Sequence, residues 1–455
     1  MSSSGQQANY SSYTRGISRD GRFVIFDSLA TNLDPLDPDW IRDVYVRDRQ
    51  LGVTTFVSHR LPGSTAPKIV AYATDISADG RFVAFMSPSA DFVPGDTNGL
   101  PDVFLWDALD GSIRIVSTSE AGVIGDNSSQ SGTLSDDGTK IAFESAARNL
   151  TPPHSHQLYQ SRAYWKDLVT GEVRLVHTTP TGESVQAGVS SVQISGDGTH
   201  VAVDSIGIGL SSSQGPHGYR SIYVRDMATN RNVNSGLTLD GKRGNHDSTD
   251  HAISTDARFV VFKSWASNMV PGKPGLMPNA YLRDRVLDTL VQIDLGDHGQ
   301  FPNAGIIAGR LSADGNVVAF SSNASNLVPE DPYNDWDIYV VSRDFAEPSH
   351  YCRGGTTPQG CAPRIDTSNL DVPDRPSGPT LCVRGAPGGS KGLLLYSIHG
   401  PAFQAFTAGG WICVRPPYAK QLLTQTGLST TCGGEFDFDF ASYIDSGVDP
   451  QLVPG

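Results

Sequence analysis

One ten-residue phrase recurs six times in this chain, and its spacing limits the available folds more than any other feature. The copies read ISRDGRFVIF from Ile17, ISADGRFVAF from Ile76, LSDDGTKIAF from Leu134, ISGDGTHVAV from Ile194, ISTDARFVVF from Ile253 and LSADGNVVAF from Leu311. Their starts lie 59, 58, 60, 59 and 58 residues apart. A regular period of this size marks a repeat architecture, in which each unit buries its faces only by stacking on its neighbours. A second phrase follows each copy, as in Asp43-Val-Tyr-Val-Arg-Asp48 and Ser221-Ile-Tyr-Val-Arg-Asp226, and a third short apolar run follows in five of the six.

These runs are strand-length, turn-bounded and without helical periodicity, which predicts an all-β fold. In Ser-x-Asp-Gly the Asp side chain can bond the backbone two residues on, and Gly accepts the positive φ that closes a hairpin. The fifth copy carries Ala257 where the others have Gly, so its turn is expected to be strained. Alternation in Arg22-Phe23-Val24-Ile25-Phe26 puts apolar side chains on both sheet faces. Such a strand is sandwiched between sheets, as in a propeller blade. About 59 residues hold four strands and their loops, so the prediction is a six-bladed β-propeller over residues 1–344. A small β-sandwich-like module is expected over 345–455, from the Gly/Pro-separated apolar runs there. Aromatics recur at one repeat position, Tyr45, Phe104, Tyr164, Tyr223, Tyr281 and Tyr339, and are read as packing between blades rather than as a sugar platform.

The Ser-x-Asp-Gly-x-x-Val-Ala-Phe phrase followed by Asp-Ile/Val-Tyr-Val-x-Asp resembles the TolB-type, or WD-like, β-propeller repeat, over roughly residues 10–344. The resemblance implies a fold and leaves the activity open. Propellers of this kind serve as binding platforms, as peptidase or transporter accessories, and as scaffolds of some metal-dependent polysaccharide lyases. The segment Cys352-Arg-Gly-Gly-Thr-Thr-Pro-Gln-Gly-Cys361-Ala-Pro and the phrase Gly409-Gly-Trp-Ile-Cys413-Val resemble a C-terminal module of secreted bacterial proteins. That resemblance implies a further strand beyond Gly455, so the module is expected to be incomplete.

Ring closure is a distinct question. After Asp337-Ile-Tyr-Val-Val341, blade six meets Phe345-Ala-Glu-Pro348 where a fourth strand is expected, and residues 1–16 match the segment that follows such a strand elsewhere. Either the first residues pair there or the C-terminal part covers the edge, since a bare edge invites aggregation.

Composition excludes some partners. The net charge of -14 and the lack of any Lys/Arg run argue against nucleic acid. No apolar stretch approaches the length of a membrane span. All five cysteines lie after residue 351. Proximity in sequence suggests Cys352–Cys361 and Cys413–Cys432 as disulfides, with Cys382 left over, and so an oxidising, extracellular or periplasmic setting. Residues 345–455 carry 7 basic and 9 acidic side chains, which leaves the acidic balance to the ring.

Chemistry is expected on the face made by the second-to-third-strand loops and the blade junctions. In blade two, Asp96, Asn98 and Asp102 resemble half of a calcium loop, with hard oxygen ligands at alternate positions and Gly99 for the turn. Blade one offers Asp34, Asp37, Asp39 and Asp43 there, and blade six offers Glu330, Asp331, Asn334, Asp335 and Asp337. Calcium is the expected ion; solvated carboxylates in Asx turns are the plainer alternative. His154, His156, His217, His246, His251 and His298 fall in the corresponding loops of blades three to five, and neutral imidazoles there could hold a transition metal. Scattered exposed histidines are the plainer reading of these too. No Gly-x-Ser-x-Gly elbow is present. The expectation is a non-catalytic binding protein for a glycan, peptide or protein partner. The alternatives are a metal-dependent polysaccharide lyase or hydrolase, and a structural part of an extracellular assembly.

Overall fold

The computed structural model describes residues 1–342 except 65–68, 153–160, 180–181, 184, 186–187, 207–209, 211–217, 297–298 and 329–334, and the backbone of seven strands beyond. Two compact units result, the first holding Met1–Met269, Lys273–Arg285 and Val291–Val341. That unit is a six-bladed β-propeller without a helix among its described residues. Blade one is an antiparallel meander of Ser12–Ile17, Phe23–Ser28, Asp43–Asp48 and Val53–Phe56. Blades two to five repeat the four-stranded order, with inner strands Tyr72–Ile76, Ser129–Leu134, Val189–Ile194 and Ser248–Ile253. Blade six has three described strands, Ile306–Leu311, Val317–Ser322 and Asp337–Ser342.

The repeated phrase builds one turn six times. In blade one the Ser18 hydroxyl donates to Asp20 (2.6 Å), the same carboxylate accepts the Arg22 amide (2.9 Å), and Ser18 Oγ accepts the Phe23 amide (2.8 Å). Ser77 and Asp79, Ser135 and Asp137, Ser195 and Asp197, Ser254 and Asp256, and Ser312 and Asp314 repeat the first bond. Each of these turns needs a positive φ at its fourth residue, which Gly meets without a steric penalty. Ala257 takes φ 57° in the fifth copy. It therefore carries the left-handed strain that its side chain implies.

Blade faces are apolar where a neighbouring blade covers them. Val44 and Val46 of blade one pack with Ala73, Ile76, Phe85 and Phe104 of blade two, and this pairing of faces recurs round the ring. Of the recurring aromatics, Phe104, Tyr164 and Tyr223 lie in these seams, the packing role expected of them, whereas Tyr45 packs inside blade one on Phe26, Leu33 and Phe56 and Tyr281 is buried in blade five. Backbone bonds at the turns step from blade to blade, Arg19 N to Ala78 O (3.1 Å), Ala78 N to Asp136 O (2.9 Å), Asp136 N to Gly196 O (2.7 Å), Asp197 N to Thr255 O (3.0 Å) and Thr255 N to Ala313 O (2.9 Å). Among the described residues no such bond joins blade six to blade one.

That last seam differs from the other five. Ile338 and Val340 of blade six are 76% and 64% exposed, whereas their counterparts Val44 and Val46 are 0% and 5%. Across the seam Ile17 is 55% exposed, against 7% for Ile76. A fully buried aliphatic side chain is worth about 1.5–3 kcal/mol, so the sixth seam forgoes a contribution that each of the others makes. The first residues do not complete blade six; Met1 and Ser2 carbonyls instead accept from Arg47 of blade one.

In residues 343–455 the described strands form an antiparallel three-stranded sheet, from Arg364–Ser368, Thr380–Ala386 and Gly434–Asp439, and two two-stranded pairs. Cys382 sits in register with Asp366 and Asp437. Cys352, Cys361, Cys413 and Cys432, the cysteines of the expected disulfides, lie outside the described residues.

Candidate functional site

Each meander sends its second-to-third-strand loop and its junction to one end of the channel, the loop face, and its Ser-x-Asp-Gly turns to the other. The acidic loops on the loop face resolve into three different arrangements. In blade one Asp34 shapes the turn, accepting the Leu36 amide on its carboxylate (2.9 Å) and the Asp37 amide on its carbonyl (3.1 Å). Asp39 accepts the Ile41 amide (2.9 Å). The chain so folded brings carboxylate oxygens of Asp37, Asp39 and Asp43 within 4.8 Å of one another, the one such three-carboxylate group among the described residues. Asp37 and Asp43 are buried; Tyr45 donates its hydroxyl to Asp37, and Ser58 donates to Asp43 (2.6 Å). Burial and the Asp37 carboxylate drive the Tyr45 hydroxyl far above its ordinary pKa. Three hard oxygen donors in one place suit calcium, which takes six to eight such ligands.

Blade two spends the same residue types differently. The Asn98 amide donates to Asp102 (3.1 Å) and to the Gly125 carbonyl (3.2 Å), while Ser117 donates to the other Asp102 oxygen (2.6 Å). Asp96 accepts the Asn98 backbone amide at 3.4 Å. An amide thus stands beside Asp102, and burial pushes the Asp102 carboxyl up to about 6 and raises that of Asp96. In blade six Asp335 and Asp337 are exposed, with Asp337 at the repeat position of Asp43 and Asp102. Glu330, Asp331 and Asn334 lie outside the described residues.

Of the six histidines considered for a transition metal, His154, His156, His217 and His298 lie outside the described residues. His251 is buried in the inner strand of blade five, and burial lowers its pKa. His246 sits at the blade-five junction in a row of rings, stacked on Tyr219 (centroids 5.0 Å, planes 22° apart) and tilted against Trp265 at 6.5 Å. Its Nδ1 accepts the Asp247 amide (2.9 Å). One histidine therefore belongs to the core and the other to an aromatic surface.

That surface was not anticipated from the sequence. Lys263 Nζ lies 4.6 Å from the centre of the Trp265 ring. A second aromatic group belongs to blades one and two. Tyr10 meets Trp40 edge to face at 5.3 Å, both more than half exposed. Nearby in sequence, the Arg42 guanidinium lies between the rings of Tyr13 (4.3 Å) and Tyr72 (5.3 Å), while Arg42 and Arg15 share the buried Asp27 carboxylate. One signal was available: Trp265 stands where the other repeats carry Leu29, Pro88, Ala146, Ile206 and Asn323. An aromatic that breaks a repeat at a loop position serves something other than the repeat.

The turn end holds a cavity of about 490 Å³, lined by all six blades and including Arg15, Arg19, Asp75, Asp136, Thr255 and Arg310. Arg19 reaches across it to Asp136 and Thr255. Asp75 accepts the Leu134 amide (2.7 Å), and burial raises its carboxyl to about 6. This polar chamber lies at the end of the channel opposite the face on which chemistry was expected.

No known family profile matches the chain, and no curated protein does. Solved structures do. TolB from Acinetobacter baumannii is 14% identical over 67% of this chain and 57% of its own, with a TM-score of 0.38; the chain thus spans little more than half the length of that protein. The β-propeller domain of the Trilobed protease from Pyrococcus furiosus, described as having an open velcro topology, is 11% identical over 83% of this chain and 94% of its own, with a TM-score of 0.42. A prolyl endopeptidase is 12% identical over 92% of this chain and 55% of its own, with a TM-score of 0.45. At such identities the likeness is one of fold, and proteins of different activity share it. The class that the fold defines is a six-bladed β-propeller. No helix among the described residues is long and apolar enough to cross a membrane.

Proposed function

We propose that this chain is a secreted or periplasmic binding protein whose loop face recognises a glycan, peptide or protein, with calcium ordering the blade-one loop. One observation carries the reading: the loop face presents two aromatic groups, Tyr10 with Trp40 and Tyr219 with His246 and Trp265. Tyr10, Trp40 and Tyr219 are exposed while His246 and Trp265 are half-buried, and such rings supply large contact area at low entropic cost. The acidic group of Asp37, Asp39 and Asp43 next to Trp40 supports calcium as the ion, since three converging carboxylates repel one another unless a cation lies among them. The confinement of cysteine to the C-terminal part supports an oxidising compartment.

The reading is tested by screening the full chain against glycan and peptide arrays with and without calcium. A ligand found this way should lose at least about tenfold in affinity on Trp40→Ala or Trp265→Ala, the cost of one good aromatic anchor. Unchanged binding in the double variant would remove the loop face from the reading.

A further inference from the structure

We propose that the polar chamber at the turn end of the channel binds a small organic monocarboxylate, held by the Arg310 guanidinium, with the Gln193 amide and the Thr74 hydroxyl contacting its polar remainder. This inference does not depend on the loop-face reading, because the chamber lies at the opposite end of the channel.

The repeat itself marks the site. Between the Ser and Asp that every copy of the phrase keeps stand Arg19, Ala78, Asp136, Gly196, Thr255 and Ala313. All six line the chamber. The position just before the phrase is as varied, with Gly16, Asp75, Thr133, Gln193, Ala252 and Arg310, and all of these but Ala252 line it too. In every blade a break in register interrupts the inner strand shortly before this second position, as between Ala73 and Asp75 and between Ile307 and Arg310. Such bulges re-aim a side chain. Residues that build the blades recur from copy to copy, whereas these vary and face a cavity. That is the pattern of a site laid over a scaffold.

Charge selects the ligand. Three guanidinium groups line the chamber in a chain whose net charge is -14. Arg15 is taken by Asp27, and Arg19 by Asp136 and Thr255. Among the described residues Arg310 makes no hydrogen bond or ion pair, and it is exposed. Asp75 feels the Arg310 charge, yet its oxygens accept the Leu134 amide (2.7 Å) and the Ile76 amide (2.9 Å). A planar guanidinium so placed pairs with a carboxylate through two parallel N–H donors. One such cation beside the Asp75 and Asp136 carboxylates favours a singly charged guest over a phosphate dianion.

The polar remainder of the guest also has partners. Thr74 Oγ1 is buried without a hydrogen-bond partner, a costly state that a ligand group can relieve. Gln193 makes no hydrogen bond among the described residues. These groups come from blades two and four and Arg310 from blade six, so an organic acid reaches more of them than an inorganic anion does. The volume, about 490 Å³, is that of a small-molecule pocket. Arg19 crosses this end from blade one to blades three and five and limits the size of the guest. Gly196 leaves room for that bridge, since a β-carbon there would overlap the Asp136 carboxylate and crowd the Thr255 hydroxyl.

The test uses the full chain with sodium lactate, gluconate and N-acetylglycine at constant ionic strength, against lactamide, N-acetylglycinamide and inorganic phosphate. Saturable binding of at least one of the acids is expected by saturation-transfer NMR, with a rise in the thermal midpoint. Its amide should not bind. Arg310→Gln should weaken binding by at least about tenfold, as for loss of a charge-assisted hydrogen bond, and Arg310→Lys should restore part of it. Gln193→Ala should weaken it severalfold, while Trp40→Ala and Trp265→Ala should leave it unchanged. Because Arg310 has no partner to lose, Arg310→Gln should keep the urea midpoint; if it does not, the comparison of acid with amide on the natural chain decides. No saturable binding of any of the three acids at tens of millimolar, equal binding of acid and amide, or full binding by folded Arg310→Gln overturns the proposal. Tighter binding of phosphate than of all three acids overturns it equally.

Discussion

The loops of blades one and two begin from nearly the same residues and end in opposite electrostatic states. In blade one, three carboxylates converge; in blade two, the place beside the buried Asp102 is taken by the Asn98 amide. A donor amide and a serine hydroxyl satisfy a lone carboxylate, so the blade-two loop is complete in itself. In the blade-one group Tyr45 donates to Asp37 and Ser58 to Asp43, with Asp39 close by. The lesson is that the same residue types at one repeat position give a converging carboxylate group or a carboxylate–amide pair, according to which neighbour reaches the carboxylate.

The contrast can be broken most directly by truncation. Asp102→Ala strips the partner from buried Ser117 and from Asn98 and should cost about 2–3 kcal/mol, read as a lower urea midpoint. Asp39→Ala in metal-free buffer should cost nothing or stabilise slightly, because it removes like-charge repulsion. Equal losses in the two variants would show that the blade-one carboxylates are as structural as Asp102.

A sharper version converts one loop into the other. Asn98→Asp sets a second carboxylate against Asp102 and should destabilise by about 1–2 kcal/mol without calcium, with part of the loss recovered when calcium is added. For the natural chain, millimolar calcium should raise the thermal midpoint by a few degrees, as expected for a ligand bound only by the folded state. Asp39→Asn should abolish that shift and Asp96→Asn should leave it.

The smallest effect is in pH. Burial holds the Asp102 carboxyl at about 6 in the fold, whereas it titrates near 3.9 in an unfolded chain. The folded state therefore binds the proton more tightly, and ionisation costs stability. The contribution of this group is fully present below about pH 4, declines as pH rises towards 6 and is gone above it, by roughly 1 kcal/mol or more. Asp102→Asn should flatten that part of the stability profile. A profile unchanged by the substitution would mean that the loop leaves Asp102 better solvated than its burial suggests.

Much of the ring was legible because it repeats. The five Ser-x-Asp-Gly phrases and their Ser-Thr-Asp-Ala variant specify the same local turn wherever they occur, and Ala257 advertised its strained turn by departing from the other five. The site was less legible. Asp37, Asp39 and Asp43 were candidates alongside Asp96, Asn98 and Asp102, and residue type alone cannot say whether an amide will reach the carboxylate. His246 and His251 looked equivalent in sequence, yet one lies in a buried strand and the other in a ring stack. Tyr10 and Trp40 are thirty residues apart and meet only because a junction and a loop share one end of a blade.

By itself, then, the sequence determined the local turns, the two-faced strands and the number of blades, since these depend on contacts within about ten residues and on a fixed period. The tertiary structure alone decided which carboxylates converge, which rings form a surface, and that Ile17, Ile338 and Val340 at the seam between blades six and one are exposed while their counterparts Ile76, Val44 and Val46 are buried. The physical reason is that these outcomes depend on which distant donor, ring or strand edge arrives at a given point, and blades carrying the same phrase receive different neighbours.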